Sequence, residues 1–200
     1  MDVVLTAPAA IALLPVLLVL AIGIKLDSSG PVFYRQVRVG RNGKLFNILK
    51  FRSMVWREAD GGSKITVAGD ARVTRFGHFL RRHKLDELPQ LFNVLVGEMS
   101  LVGPRPEVPE YVECYPEPAR SIVLSVRPGI TDNASLEFRD ESELLRREDD
   151  PERVYREQVL PRKLAIYQRY VCESTLSGDL RLIIRTVLAV FRIGEARRRS

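Results

Sequence analysis

Cysteine, histidine and tryptophan are scarce in this chain, with 2, 2 and 1 copies in 200 residues. Cys114 and Cys172 have neither metal-ligand spacing nor a disulfide-framework pattern, so they read as reduced bystanders. His78 and His83 stand five apart without neighbouring ligand residues, which gives no zinc site. Repeats and low-complexity segments are missing too, which sets aside solenoids and linkers. Charge is absent from Val3 to Ile24, a run of 22 residues, and no Lys or Arg precedes it. Without a basic leader, that run does not read as a secretory signal peptide.

What the run does fit is a membrane helix, for which roughly 20 apolar residues suffice. Its apolarity on every side argues against an ordinary core helix. Pro8 and Pro15 interrupt it. Pro15 falls mid-run, where it removes one backbone hydrogen bond and bends the helix. Lys25, Arg35, Arg38, Arg41 and Lys44 all follow the run, so the following side is expected to be cytoplasmic. Charge alone leaves open whether the N-terminus crosses or returns; a kink at Pro15 permits a helix–break–helix hairpin. The net charge of +6 is uneven: residues 1–105 hold 15 Lys/Arg against 8 Asp/Glu, and residues 106–200 hold 16 against 17. A basic first half suits an anionic partner such as lipid headgroups, nucleotide phosphates or nucleic acid. No recognised nucleic-acid motif accompanies it, so nucleic acid is not an expected partner.

The remaining chain reads as α+β and mostly helical. Val32–Arg38 and Lys44–Phe51 are rich in aromatic and β-branched residues, and Asn42–Gly43 between them signals a small β-hairpin. Ser53–Gly69 reads as a polar loop. Arg75–His83 has helical spacing of Phe76, Phe79 and Leu80. Asp86 opens a second helix, with Pro89 in its first turn, Leu88, Leu91, Phe92 and Leu95 as its apolar face, and Gly97 at its end. Glu107–Tyr115 is a short helix and Arg127–Gly129 a turn. Ser142–Glu148 and Pro151–Val171 read as helical. Asp179–Ile193 is a basic amphipathic helix, with Leu180, Ile183, Ile184, Val187, Leu188 and Phe191 on one face. It suits either a membrane interface or the core.

Two features carry chemistry. Arg105 lies between Pro104 and Pro106, which stiffen its loop. Asp86 and Glu87 form an adjacent carboxylate pair, preceded by Arg81, Arg82, His83 and Lys84. Such a pair can simply cap a helix N-terminus. The surrounding cations point further, to phosphate oxygens. Paired carboxylates also suit magnesium, which takes few protein oxygens besides substrate phosphates. One of them could instead attack phosphorus and form an acyl phosphate. The sequence does not allot these roles.

On these residues the chain resembles the bacterial monotopic phosphoglycosyl transferases, the initiating polyprenyl-phosphate sugar transferases of envelope glycan assembly. The matching stretches are Gly30–Pro–Val–Phe–Tyr–Arg–Gln36, Lys50–Phe–Arg–Ser–Met54, Asp70–Ala–Arg72 with Thr74–Arg–Phe–Gly77, Leu85–Asp–Glu–Leu–Pro–Gln–Leu–Phe–Asn–Val94, Gly97–Glu–Met–Ser–Leu–Val–Gly–Pro–Arg–Pro106 and Arg127–Pro–Gly–Ile–Thr131. Together they cover most of residues 10–131, in order.

The resemblance implies transfer of a sugar 1-phosphate from a UDP-sugar to polyprenyl (undecaprenyl) phosphate, with release of UMP. Asp86 corresponds to the nucleophile that forms a phosphosugar–aspartyl intermediate. Glu87 corresponds to the partner that assists with Mg2+ or proton transfer, and the metal falls to Asp86 and Glu87. Arg81 and Arg105 correspond to phosphate contacts. Lys84, an added cation here, could tighten phosphate binding or lower the pKa of Asp86. Residues 1–25 correspond to a re-entrant membrane helix broken at Pro15. Residues 26–200 correspond to a catalytic domain on the cytoplasmic face of the bacterial inner membrane, its helices arranged around a membrane-surface active site. The expected product enters exopolysaccharide, O-antigen (lipopolysaccharide) or glycoprotein glycan assembly. Self-association as a homodimer is left open, as is the sugar. Arg35, Arg38, Lys44 and Lys50 would hold anionic headgroups or solvate the sheet edge.

Several positions depart from the family pattern. Leu14 replaces the serine often found before the helix-breaking proline. His83–Lys84 replaces small hydroxyl residues. Asp132–Asp140 replaces a Gly-led run, in a region expected to bear on sugar choice. The start before Asp2 is abrupt, and the length suits the catalytic unit alone. Competing readings are a catalytically silent membrane scaffold of the same fold, a membrane-tethered nucleic-acid binder and a lipid-independent nucleotide-sugar hydrolase.

Overall fold

The computed structural model describes residues 1–56, 69–138 and 141–196, with side chains given to residue 189. Most of the polar loop read between Ser53 and Gly69 lies outside the described residues, as does the Phe191 side chain. The chain is mostly helical with a small amount of sheet, as the sequence predicts.

Helix α1 runs from Asp2 to Asp27. Pro8 and Pro15 both lie inside it, so the expected break at Pro15 meets one continuous helix. Thr6, Ala10, Leu17, Leu20 and Ile24 are its buried residues. Their spacing of three, four and seven marks a single face. Ile24, Leu20 and Leu17 pack with Phe51 and Leu80. The other sides carry exposed apolar residues, among them Val4, Ile11, Leu18, Val19 and Leu26. At the C-terminal end, Arg52 donates to the Ser28 carbonyl at 2.7 Å and also to the Ser29 carbonyl. These contacts match a cation to the negative end of the helix.

Strands β1 (Phe33–Val39) and β2 (Leu45–Phe51) form the predicted antiparallel hairpin, pairing Phe33 with Phe51 and Val39 with Leu45. The turn is a 3-10 segment, Arg41–Gly43, in which Asn42 (φ 56°) and Gly43 (φ 76°) take left-handed conformations. Helix α2 covers Arg75–Arg82. Thr74 caps it, its side chain accepting from Gly77 N–H at 2.9 Å. A 3-10 turn, Leu85–Glu87, leads to α3, Gln90–Leu95.

The apolar face read for this region is not the buried one. Gln90, Asn93 and Val94 are buried in α3, while Phe92 stays 37% exposed. The Asn93 side chain explains the turn of the helix: it accepts from Leu49 N–H at 3.0 Å and donates to the Asn47 carbonyl at 2.9 Å. A buried amide that satisfies β2 backbone groups outweighs the gain from tucking Phe92 inside.

Two three-residue strands, β3 (Ser100–Val102) and β4 (Gly129–Thr131), pair in parallel. The sequence reading placed a turn at Arg127–Gly129 and missed this ladder, which is too short to show periodicity. Between them lie α4 (Pro109–Val112) and α5 (Ala119–Val123), and α6 (Asn133–Glu137) follows. Helix α4 is shorter than the predicted Glu107–Tyr115, and α5 and α6 were not foreseen. Helices α7 (Glu141–Arg146), α8 (Pro151–Val154) and α9 (Leu160–Glu173) come next, with a wide π turn, Tyr155–Val159, joining the last two. The main core gathers Tyr111, Val112, Val123, Tyr155, Leu164 and Tyr167. Helix α10 (Leu176–Ala196) buries Leu182 but leaves Leu180, Ile184, Val187 and Leu188 exposed. Of its two readings, packing of that apolar face into the core is not what the structure shows.

Candidate active site

The site begins where α2 must reverse direction. Lys84, exposed and left-handed (φ 56°), turns the chain into the Leu85–Glu87 segment. A lysine at positive φ is an uncommon conformation, held by the elements on either side. The turn sends adjacent carboxylates into different surroundings. Asp86 is buried, and its Oδ1 has no hydrogen-bond partner among the described residues. Glu87 is clasped by two cations. Lys50 Nζ lies 2.8 Å from its Oε1. Arg105 donates through one nitrogen to Oε2 at 3.2 Å and through the other to Oε1.

Electrostatics separates the pair. Burial raises the Asp86 carboxyl above its ordinary 3.8, and the neighbouring Glu87 charge adds to that rise. Burial also works against charge on Glu87, but Arg105 and Lys50 outweigh it and hold Glu87 well below 4.5. Burial pulls Lys50 down, with Glu87 opposing. Arg105 is pushed up, chiefly by Glu87.

The structure brings every predicted site cation near the dyad. Arg81 and Lys84 both act on Asp86. Arg81 also donates to Ser53 Oγ at 3.1 Å, which anchors its guanidinium stem beside β2. That approach requires a glycine at 77, because a Cβ there would come within 2.0 Å of the Ser53 carbonyl oxygen. The Arg105 loop is fixed from β4: Pro104 C=O accepts from Gly129 N–H at 2.9 Å, and Thr131 C=O accepts from Gly103 N–H at 3.1 Å.

Lys50 was misplaced by sequence reasoning, which assigned it to headgroups or the sheet edge. Strand periodicity held the signal, since Lys50 shares a face with Phe46 and Ile48, both buried. Asp132 was also missed. Burial raises its carboxyl despite bonds from Ser135, and Arg105 lies close enough to oppose the rise. As for a metal, no group of three or more His, Cys, Asp or Glu converges among the described residues. The free Asp86 oxygen fits magnesium held mainly by substrate phosphates, whereas both Glu87 oxygens are already matched by cations.

The fold and site thus define a mostly helical chain with a long apolar N-terminal helix and a carboxylate pair lined by cations, of which Asp86 is buried. The chain belongs to the bacterial sugar transferase family, whose model matches residues 1–193. It is similar to a UDP-glucose:undecaprenyl-phosphate glucose-1-phosphate transferase of Xanthomonas campestris pv. campestris, 39% identical over 194 residues, covering 94% of this chain and 37% of that protein. A protein of the same name from Caulobacter vibrioides is 37% identical over 199 residues, covering 98% of this chain and 70% of the relative. A UDP-N-acetylgalactosamine-undecaprenyl-phosphate N-acetylgalactosaminephosphotransferase of Aeromonas hydrophila is 46% identical over 119 residues, covering 58% of this chain and 28% of its own length. Against several of these curated relatives the chain spans less than two fifths of their length.

Proposed function

We propose that this chain transfers a sugar 1-phosphate from a UDP-sugar to undecaprenyl phosphate, releasing UMP, as an initiating step of envelope glycan assembly. The observation that carries the reading is the division within the dyad: a buried Asp86 with a free oxygen beside a Glu87 fixed by Lys50 and Arg105. The relatives' names supply the donor and acceptor classes.

In the first half-reaction an Asp86 oxygen attacks the β-phosphorus of the UDP-sugar. The bond from that phosphorus to the bridging oxygen breaks, and UMP leaves with the oxygen and the electron pair. The phosphosugar remains on Asp86 as an acyl phosphate. A phosphate oxygen of the lipid then attacks the same phosphorus, which frees the Asp86 carboxylate and forms the lipid diphosphosugar. Arg81, Lys84 and Arg105 hold phosphate oxygens and offset the charge that gathers in each step. Glu87 keeps Lys50 and Arg105 in place. When bound, magnesium would neutralise diphosphate charge; the free Asp86 oxygen and the substrate phosphates would hold it, since both Glu87 oxygens are matched by Lys50 and Arg105.

Attachment is proposed to be monotopic, with α1 continuous through Pro15 and lying against the domain along one face, and with the catalytic domain on the cytoplasmic face of the inner membrane. Supporting this, α1 buries one face along its length. The Asp132–Asp140 stretch, of which residues 139–140 lie outside the described residues, is proposed to bear on sugar choice through the proximity of Asp132 to Arg105.

The test is UMP release by detergent-purified protein with magnesium, undecaprenyl phosphate and a panel of UDP-sugars. One sugar should support release, and Asp86→Asn should lower it at least about a thousandfold. UMP release retained by Asp86→Asn rejects the nucleophile. Multiple turnovers without lipid show hydrolysis instead.

A further inference from the structure

Arg105 is followed by Pro106 and Glu107, and this segment is bound to elements distant in sequence. Glu107 is only 6% exposed. Its backbone carbonyl accepts from Val39 N–H at 2.9 Å. Arg38, also on β1, donates to the Pro106 carbonyl at 2.9 Å and lies 3.5 Å from Glu107 Oε2. The other carboxylate oxygen, Oε1, accepts from the Tyr155 hydroxyl. Tyr155 opens the π turn between α8 and α9, a widened helical geometry that recurs at functional positions. Its ring sits 5.0 Å from that of Tyr111, with Lys163 Nζ 5.0 Å from its centroid.

We propose that Glu107, gripped by Arg38 and Tyr155, is a positioning residue for Arg105, and that through it the C-terminal helices set the aim of the guanidinium at the dyad. The two prolines transmit that hold because they leave the intervening residue little backbone freedom. Gly129 and Thr131 secure the loop before Arg105, and Arg38 and Tyr155 secure it after. Tyr155 and Glu107 make no hydrogen bond or ion pair with Glu87 among those described, and the loop links them to Arg105, whereas Arg38 also acts on Lys50 through its charge. The inference rests on the transferase reading only for its turnover readout.

The test is a double-mutant cycle on the full chain in detergent. Tyr155→Phe and Glu107→Gln are each made alone and combined with Arg105→Ala. Each is read by kcat/KM for UMP release, by UMP affinity in calorimetry and by Tm. In the Arg105 background each variant should lose about ten- to a hundredfold in kcat/KM, the scale of a small misplacement. In the Arg105→Ala background the same change should cost less than about twofold, since the group being positioned is gone. Equal losses in both backgrounds overturn the proposal, because a general structural role is independent of Arg105. Should Glu107→Gln fail to fold, Tyr155→Phe, which removes one hydroxyl, carries the cycle alone. Wild-type protein that binds UMP yet releases none from any UDP-sugar defeats the transferase reading, while the cycle on UMP affinity still decides this one.

Discussion

Burial of Asp86 and pairing of Glu87 give the two carboxylates opposite linkage to pH. The folded state favours protonated Asp86, so that residue's contribution to stability is largest below the unfolded value and declines as pH rises from 3.8 through its raised folded value. At neutral pH its ionised form is a burden on folding. Asp86→Asn should therefore raise the Tm at pH 7 while abolishing turnover, with the gain fading in acid. Thermal melts at pH 7 and pH 4 check this; a lower Tm at pH 7 would show that Lys50, Arg81 and Lys84 outweigh the cost of burying the Asp86 charge. Glu87 behaves in reverse. Its contribution is present above 4.5 and lost as pH falls through its depressed folded value. Glu87→Gln leaves Lys50 and Arg105 facing each other without an anion, which should cost about 3 kcal/mol at pH 7. Denaturant titration should find that deficit shrinking below pH 4.5, and equal stability at pH 7 would reject the clasp.

At the scale of elements, the parallel ladder of β3 and β4 places Arg105 more directly than any helix does. Gly103 and Gly129 allow the backbones to meet: a Cβ on Gly129 would sit 2.1 Å from Gly103 N, and one on Gly103 would sit 2.6 Å from the Arg127 carbonyl oxygen. Gly129→Ala must push the strands apart, at about 3 kcal/mol. The Pro104 carbonyl moves with Gly129, so activity should fall further than stability predicts. UMP release at a temperature where the variant stays folded separates the two effects, and normal turnover there would free Arg105 from dependence on the ladder. These glycines stand in the sequence, yet nothing local announces that they face each other. The hairpin was legible because seven-residue strands show alternation and Asn42–Gly43 marks their turn. The dyad and Arg105 were legible as a cluster of charged residue types around a proline-stiffened loop. Lys50, Asp132 and the buried face of α3 were not, because each is settled by a contact across the fold: Lys50 with Glu87, Asp132 near Arg105, Asn93 with the β2 backbone. Tertiary hydrogen bonds override amphipathic patterning in a helix of six residues.

For the whole molecule, the placement of α1 constrains how the protein meets a membrane. A helix of 26 residues extends about 39 Å at 1.5 Å per residue, long enough to cross a bilayer. A crossing helix would carry its N-terminal half away from a domain confined to one side. Here the buried face begins at Thr6 and continues to Ile24. Asp2 lies close enough to Asp179 and Tyr170 to disfavour charge on both, which sets the N-terminal end beside α9 and α10. The other end meets α2, where Asp27 accepts from Phe76 N–H at 3.2 Å and a Cβ on Gly23 would come within 2.6 Å of the Phe76 ring. Both ends therefore rest on the same domain, and the apolar surface of α1 and the open stripe of α10 stay exposed. Single cysteines at Asp2 and at Lys44 test this, introduced after Cys114→Ser and Cys172→Ser because both native thiols are exposed. An impermeant maleimide should label neither site in intact spheroplasts and both in inverted vesicles. Labelling of Asp2→Cys from outside would mean that α1 crosses, and the domain contacts of its N-terminal half would have to be given up in the membrane.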